Sequence, residues 1–187
     1  MKSRLRKARN APLSSDLAES IIGAWRTNAL VTARFIEAIS TELWALEFPG
    51  ERHRTFRTFA AHLHNSRSRW IRTLGREHGV QVPSLVDRRR VTRRSLLAAL
   101  KQSARGIEDL LELGLAHGGR IPPSRAYVWR NLPLDVGNVL SYFAAHEAHH
   151  RGQIVMAARQ LGHRLPPAVV NDLWQWSARA RESSGRR

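Results

Sequence analysis

Two histidines four residues apart stand in the segment from Phe143 to Gln153. In a helix, His146 and His150 lie one turn apart and about 40° apart around the axis. The apolar residues that share a sector roughly 80° wide with them are Val139, Phe143, Ile154, Ala157 and Leu161. An amphipathic helix buries such a face, where an unpartnered polar group costs on the order of 1–3 kcal/mol. We therefore expect the pair to have a partner, and a bound metal ion is the simplest candidate.

The same segment contains His146-Glu147-x-x-His150, the short pattern of zinc proteases in which the glutamate activates water. A zinc protease needs a third ligand, either a histidine six residues after the second histidine or a downstream glutamate. The first position is Met156, and the only glutamate after Glu147 is Glu182. No predicted strand is present to hold an extended peptide. The sequence therefore argues against a protease, and a third ligand has to come from upstream.

The elements that must position this ligand are helical. Apolar residues recur at three- and four-residue spacing in four long segments and one short one, at about 16–46, 55–75, 92–117, 135–161 and 168–180. Thr92 and Asp135 are suited to cap the third and fourth helices. No segment has the alternation of a strand. The pattern predicts an all-α four-helix bundle with a short C-terminal helix, in which Trp174 and Trp176 close the end of the core.

The second predicted helix carries two histidines. His62 lies about 60° from Phe59, on the shoulder of the inner stripe, whereas His64 points about 140° away from Phe59. His62 is therefore the better third ligand. Three imidazoles and a water molecule make an open, catalytic-type site that accepts zinc, nickel, manganese or iron. From the residues alone, hydrogen-bonded core histidines remain the alternative. The histidines expected to lie at the surface or in caps are His53, His64, His78, His117 and His163.

Residues beside the histidine pair have different predicted roles. Gln153 falls about 20° from the first histidine of the pair, so it can hydrogen-bond a ligand imidazole or a bound water molecule. Glu147 is about 100° away and is a candidate to orient a ligand or to act as a base, although a surface salt bridge is the simpler expectation. Arg151 is expected to pair outside the site and His149 to lie at its edge. Gly152 is expected to permit close helix approach.

The composition limits the cellular compartment and the side chains that could bind a metal ion. The chain has 187 residues, no cysteine and a formal net charge of +16. Without cysteine there is no disulfide and no thiolate ligand, so a metal must use His, Asp or Glu. The basic N-terminus has no apolar stretch behind it and no run of 18 apolar residues occurs, so we expect neither a secretory signal nor a membrane span, and a cytoplasmic location.

The length suits a single domain, predicted at residues 14–178 between basic disordered tails at 1–13 and 179–187. Much of the positive charge falls in these tails and in the run from Asp87 to Arg94. Basic residues interleaved with exposed aromatics, as in a single-strand binding platform, are not found. A nucleic-acid partner is therefore a hypothesis that the sequence does not favour.

Four motifs carry a resemblance to a known family: Ala61-His62-Leu63-His64-Asn65 followed by Trp70, His146-x-x-His149-His150-Arg151-Gly152-Gln153, Asp135-Val136-Gly137, and Leu173-Trp174-Gln175-Trp176. On these motifs the sequence resembles the DinB/YfiT-like metal-binding proteins over most of residues 15–178. The resemblance implies an up-down-down-up bundle, frequently dimeric, with one divalent metal held by three histidines. By position these are His62, His146 and His150. Some relatives look like transferases that use low-molecular-weight thiols such as bacillithiol or mycothiol.

The leading hypothesis is a DinB-like protein whose metal activates either a thiol for transfer or a water molecule for hydrolysis. Its partners would be a small-molecule substrate or thiol and a second copy of the chain. A non-catalytic, metal-binding stress-response protein is the alternative from another class. A basic protein associated with nucleic acid is the third.

Overall fold

The computed structural model describes residues 15–185, so the predicted tail at 1–13 lies outside the described residues. The fold is all-α, and no strand occurs between residues 15 and 185. Four long helices carry the core: α1 (Ser15–Ala38), α3 (Phe56–Leu74), α4 (Arg93–Ala116) and α5 (Val136–Gln160). Shorter helices are α2 (Thr41–Ala45), α6 (Pro167–Asp172), α7 (Trp176–Ser183) and a 3₁₀ turn at Arg76–His78.

Side-chain caps explain where two of the long helices begin. The Thr55 side chain accepts a hydrogen bond from the backbone N–H of Thr58 at the start of α3. Thr92 does the same for Ser95 at the start of α4, as predicted. Such caps satisfy backbone donors that have no partner inside the helix. Asp135 occupies the N-cap of α5, but its side chain makes no capping hydrogen bond.

The first predicted helix, at about 16–46, is in fact two helices. α1 ends at Ala38, and Ser40 has an extended backbone and caps α2 by accepting from the Leu43 N–H. Ile39 and Leu43 are both buried, and the carbonyl of Ile39 accepts a hydrogen bond from the Arg93 guanidinium at the start of α4. Serine is a favoured N-cap residue because its side chain competes for backbone N–H groups. The break therefore turns the chain while two apolar side chains remain in the core.

The hydrophobic core consists of two clusters at different levels of the bundle. One includes Phe35, Phe59, Leu96 and Ile154, and the other includes Trp25, Ile71, Leu110 and Phe143. Each of α1, α3 and α5 carries buried polar residues between its contributions to the two clusters. We call this set the polar layer: Asn28, Thr32, Arg67, Glu147 and Arg151. It separates the two apolar halves of the core.

Cross-helix contacts give the relative directions of neighbouring helices. Arg26 pairs with Glu108, and Ile39 with Arg93, so α1 and α4 are antiparallel. Thr32 contacts Arg151, and Trp25 lies against Phe143, so α1 and α5 are parallel. α3 runs antiparallel to α5, because His62 meets His146 and Trp70 meets Tyr142.

The C-terminal segment differs from its prediction. The short helix expected at 168–180 is two helices, α6 and α7, and α7 continues to Ser183, within the stretch predicted as a basic tail. α7 packs against α1, and Glu182 pairs with Arg34. Trp174 and Trp176 do not close the core, since they are 79% and 38% exposed. Val169 and Leu173 are the residues of this segment that pack on the core, because the segment lies across the outside of α1 rather than over the bundle end.

Candidate metal centre

Three imidazoles from two helices converge at one point. His62 comes from α3, and His146 and His150 come from successive turns of α5. The Nε2 atom of His146 lies 3.3 Å from Nε2 of His62 and 3.2 Å from Nε2 of His150. Ligand atoms of all three residues lie within 4.8 Å of one another. The structure thus brings together the three histidines that the sequence nominates as metal ligands.

The spacing of these nitrogens fits a metal ion. Four ligands arranged tetrahedrally at 2.0–2.1 Å from zinc have neighbouring ligand atoms about 3.3 Å apart. Neutral imidazoles that face each other through Nε2 can share at most one proton per contact, so three of them do not satisfy one another fully. A cation at their centre would accept all three lone pairs. The three residues therefore could hold a divalent metal ion.

The electrostatics keep these imidazoles neutral. Burial, together with the neighbouring His150, lowers the pKa of His62 to about 4. Burial and His150 likewise lower the pKa of His146 to about 4. The pKa of His150 is also lowered, chiefly by burial. Because only a neutral imidazole offers a lone pair to a metal, all three groups are in their ligand form at neutral pH.

Gln153 fixes the orientation of one of these rings. Its Oε1 lies 2.7 Å from Nδ1 of His150, the contact that the helical spacing predicts. An amide oxygen only accepts, so Nδ1 of His150 carries the proton and Nε2 presents its lone pair to the other two imidazoles. Hydrogen bonds of this kind set the tautomer and basicity of metal-binding histidines.

Aromatic rings form the walls around the imidazoles. The Tyr142 ring is nearly parallel to that of His146, with centroids 6.1 Å apart. Trp70 donates its indole N–H to the Tyr142 hydroxyl at 3.2 Å. On the other side, the edge of Phe59 meets His150 at 6.3 Å between ring centroids. These contacts restrict rotation of the imidazoles and give the site an apolar boundary.

The site lies at the rim of the core rather than inside it. His62, His146 and His150 are half-buried, and Leu161, expected on the same buried face, is 38% exposed. The buried arc of α5 is displaced from its predicted position because it contains Glu147 and Arg151 as well as apolar residues. The histidine pair therefore stands at the edge of the buried arc of α5 rather than at its centre.

Glu147 is the main correction to the predicted site. It is fully buried in the polar layer, not in a surface salt bridge. Its carboxylate accepts hydrogen bonds from Arg67 Nε at 2.6 Å, Thr32 Oγ1 at 2.6 Å and Asn28 Nδ2 at 2.9 Å. Burial by itself raises the pKa of Glu147, but the charge of Arg67 and the hydrogen bonds outweigh it, so the pKa is lowered. The carboxylate is thus ionised and fully engaged, which makes it unsuited to act as a base.

Arg151 and Gly152 also have defined places. Arg151 Nη1 donates to Thr32 Oγ1 at 2.5 Å and lies 3.8 Å from Glu147 Oε2, so it pairs outside the histidine cluster, as expected. Gly152 does not permit a close helix approach. It is exposed, and a Cβ added there would meet nothing within 4 Å.

Arg67 was not identified from the sequence. It is 1% exposed, donates from Nη1 to the Leu100 carbonyl at 3.1 Å and stacks over the Trp25 ring at 4.9 Å. A signal was available, since Leu63, Arg67 and Ile71 recur at four-residue spacing on the buried side of α3. An arginine on such a stripe indicates a buried acid on a neighbouring helix, because a buried charge requires a partner.

His64 is a second correction. It was expected at the surface, but it is completely buried and Nε2 lies 2.8 Å from the Ser84 carbonyl. Burial lowers its pKa. It therefore anchors the linker after α3, on a different side of the helix from His62. His149 is exposed at the edge of the cluster, with its ring centroid 5.2 Å from that of His150.

The other histidines match the expectation of surface or cap positions. His53, His117 and His163 are exposed, and His117 Nδ1 lies 2.8 Å from the Leu113 carbonyl at the end of α4. His78 is partly exposed and contacts the Pro122 carbonyl. Across residues 15–185, no helix combines the length and the apolar character needed to cross a bilayer.

Comparison with known proteins gives a family. The model of the DinB family matches residues 15–182. No curated protein and no solved structure matches the chain. The family match covers most of the sequence and all the helices described above except the last residue of α7. The chain therefore belongs to the DinB family.

Proposed function

We propose that this DinB-family chain binds one divalent metal ion through His62, His146 and His150 and uses it to activate a low-molecular-weight thiol for transfer to a small molecule. The observation that carries the proposal is the convergence of three Nε2 atoms, with contacts of 3.2 and 3.3 Å. A divalent cation bound there would stabilise a thiolate at neutral pH. Zinc, nickel, manganese and iron are all compatible with three imidazoles.

The protein's own side chains have defined tasks in this proposal. Gln153 holds the His150 tautomer that presents Nε2. Tyr142 and Phe59 hold the imidazole rings from two sides. The three histidines are only partly buried, which suits an exchangeable coordination position.

Thiol transfer is favoured over hydrolysis because Glu147 is not free to act as a base. Its carboxylate is occupied by three donors in the polar layer. A metal-bound thiolate needs no such base once it has formed. A non-catalytic, metal-binding stress-response protein is less well supported, because a purely structural metal is expected in a site closed by protein ligands.

The remaining features of the proposal concern the whole protein. We propose a single cytoplasmic domain with up-down-down-up topology, which the pairings of α1 with α4 and α5, and of α3 with α5, support. We also propose a homodimer, to be tested by light scattering. Trp129, Met156 and Trp174 are large apolar side chains that are individually exposed and available for such a contact. A nucleic-acid partner is not proposed.

Cobalt substitution tests the metal and the thiol separately. We expect one Co²⁺ per chain with a visible spectrum typical of low coordination number, and a sulfur-to-cobalt charge-transfer band when 2-mercaptoethanol is added. The His146→Ala variant should lose both signals, and the matched His149→Ala variant should keep both. Cobalt binding without a thiol band would contradict the transferase proposal, and failure to bind cobalt would contradict the metal site itself.

A further inference from the structure

A basic cleft lies along α3, the helix that carries His62, although none of the three histidines of the candidate metal centre lines it. It has a volume of about 620 Å³ and is formed by the start of α3 and by the segments on either side of that helix. Its charged lining residues are Arg52, Arg54, Arg69, Asp87, Arg88 and Arg89. Five arginines and one aspartate give the lining a strong positive excess. A concave surface with charges of one sign concentrates ligands of the opposite sign.

The register of α3 places this cleft next to the candidate metal centre. Thr58, Asn65 and Arg69 line the cleft, and they fall within about 60° of His62 around the helix axis. His62 stands between them along the helix. One wall of the cleft is therefore the same helical face that presents a candidate metal ligand.

Hydrogen bonds hold the opposite wall in place. The Asn65 side chain donates to the Val86 carbonyl at 3.0 Å and accepts from the Val86 N–H at 2.9 Å. The Thr58 hydroxyl donates to the Arg88 carbonyl at 3.5 Å. These contacts fasten the linker to α3 immediately beside His62, so Arg88 is positioned by the fold.

Arg54 connects the cleft with the histidine cluster through Phe59. The Arg54 guanidinium lies 4.7 Å from the centre of the Phe59 ring, which in turn contacts His150. The Arg54 guanidinium is therefore one aromatic ring away from His150.

This positive charge is only partly balanced by protein carboxylates. Arg54 pairs with Glu51 at 2.9 Å, and Asp87 interacts with the Arg89 N–H and with Arg90. Within residues 15–185, no ion pair engages the guanidinium of Arg69 or Arg88. A guanidinium presents paired N–H donors that match a carboxylate or a phosphate group.

We propose that the cleft binds the anionic group, a carboxylate or a phosphate, of the small molecule whose other end reaches the three histidines. Arg69 and Arg88 are the principal anchors of the anionic group, and Arg54 lies on the side of the cleft next to His150. That the other end of the molecule binds at the three histidines rests on the proposed function. Anion binding in the cleft is a separate property. The site is then bipartite, and it selects anionic thiols or anionic acceptors over neutral ones.

Titration of the zinc-loaded protein tests the cleft without any thiol. Succinate and inorganic phosphate serve as separate probes, and the tighter one identifies the preferred anionic group. The Arg69→Gln/Arg88→Gln variant should bind the preferred probe at least about fivefold more weakly. Arg94→Gln removes one charge from an exposed position outside the cleft and should leave the affinity unchanged. Equal binding by the double variant and the wild type, or an equal loss in Arg94→Gln, would overturn the proposal.

A thiol pair then tests the bipartite arrangement on the cobalt-substituted protein. Mercaptosuccinate should produce the charge-transfer band at lower concentration than 2-mercaptoethanol, and the double arginine variant should remove that preference without weakening the neutral thiol. A preference that survives in the double variant would overturn the assignment of these arginines. Succinate binding without any thiol band would contradict the proposed function and leave the anion cleft supported.

Discussion

Glu147 Oε1 lies 2.6 Å from Nε of Arg67, and both side chains are at most 2% exposed. Glu147 follows directly after His146 in the sequence, yet the two residues belong to different parts of the molecule. The histidine lies at the rim of the core, in the candidate metal centre, and the glutamate joins α5 to α1 and α3 through the polar layer. The pattern that resembles a zinc protease is thus divided between a candidate metal site and a structural ion pair.

Loss of Glu147 should destabilise the fold. Glu147→Ala leaves Arg67 and Arg151 buried without a counter-charge, and we expect a loss of about 3–5 kcal/mol in the free energy of unfolding, measured by urea denaturation. The exposed control Glu37→Ala should change it by less than about 0.5 kcal/mol. A stable Glu147→Ala protein with reduced metal affinity alone would show that Glu147 serves the metal site instead.

A double variant measures how strongly Arg67 and Glu147 stabilise each other. Arg67→Met/Glu147→Leu removes both charges, so its loss of stability should be clearly smaller than the sum of the two single losses. Additive losses would contradict a direct coupling between these residues.

Gln153 should control metal affinity without controlling the fold. Gln153→Ala removes the acceptor that fixes the His150 tautomer, and the expected loss is about 10-fold to 100-fold in zinc affinity, measured by competition with a chromogenic chelator. Gln102→Ala, at an exposed position on α4, is the matched control and should bind zinc as the wild type does. Unchanged affinity in Gln153→Ala would mean that the ring orientation of His150 is set by packing alone.

The lowered histidine pKa values predict a pH-dependent stability of the metal-free protein. The pKa of His62 and of His146 is about 4 in the folded chain, against about 6.5 for an unperturbed histidine. Between these values the unfolded chain binds protons that the folded chain does not, so acidification favours unfolding. Stability should be at its full value above about pH 6.5 and should fall as the pH decreases towards 4.

Thermal melts at pH 7, 6 and 5 measure this dependence. The His62→Gln/His146→Gln variant, which has neither titrating group, should show a shallower decrease than the wild type. An identical decrease in both proteins would assign the effect to other groups.

Local patterns were sufficient to predict several features. The cap at Thr92 and the contact between Gln153 and His150 depend on spacing within one helix, which the sequence displays directly. The position of His62 followed from its angle relative to the inner stripe of its own helix. All-α architecture followed from the same periodicity.

The polar layer could not be predicted in the same way. Apolar periodicity predicts that a charged residue lies at the surface. Arg67 and Glu147 are nevertheless buried, because each one supplies the counter-charge of the other across two helices. The burial of His64 likewise depends on the Ser84 carbonyl, which a linker brings to it. These partners are far apart in sequence, so the choice between surface and core is decided only when the helices pack together.

The most direct test of the central claim is the metal content of protein purified without an affinity tag. We expect about one divalent ion per chain, lost in each of His62→Ala, His146→Ala and His150→Ala and retained in His149→Ala, which changes an exposed histidine beside the cluster. Circular dichroism of each variant confirms that the helices are intact. Metal retained after removal of any one of the three histidines, or absent from the wild type under metal-replete conditions, would contradict the three-histidine site.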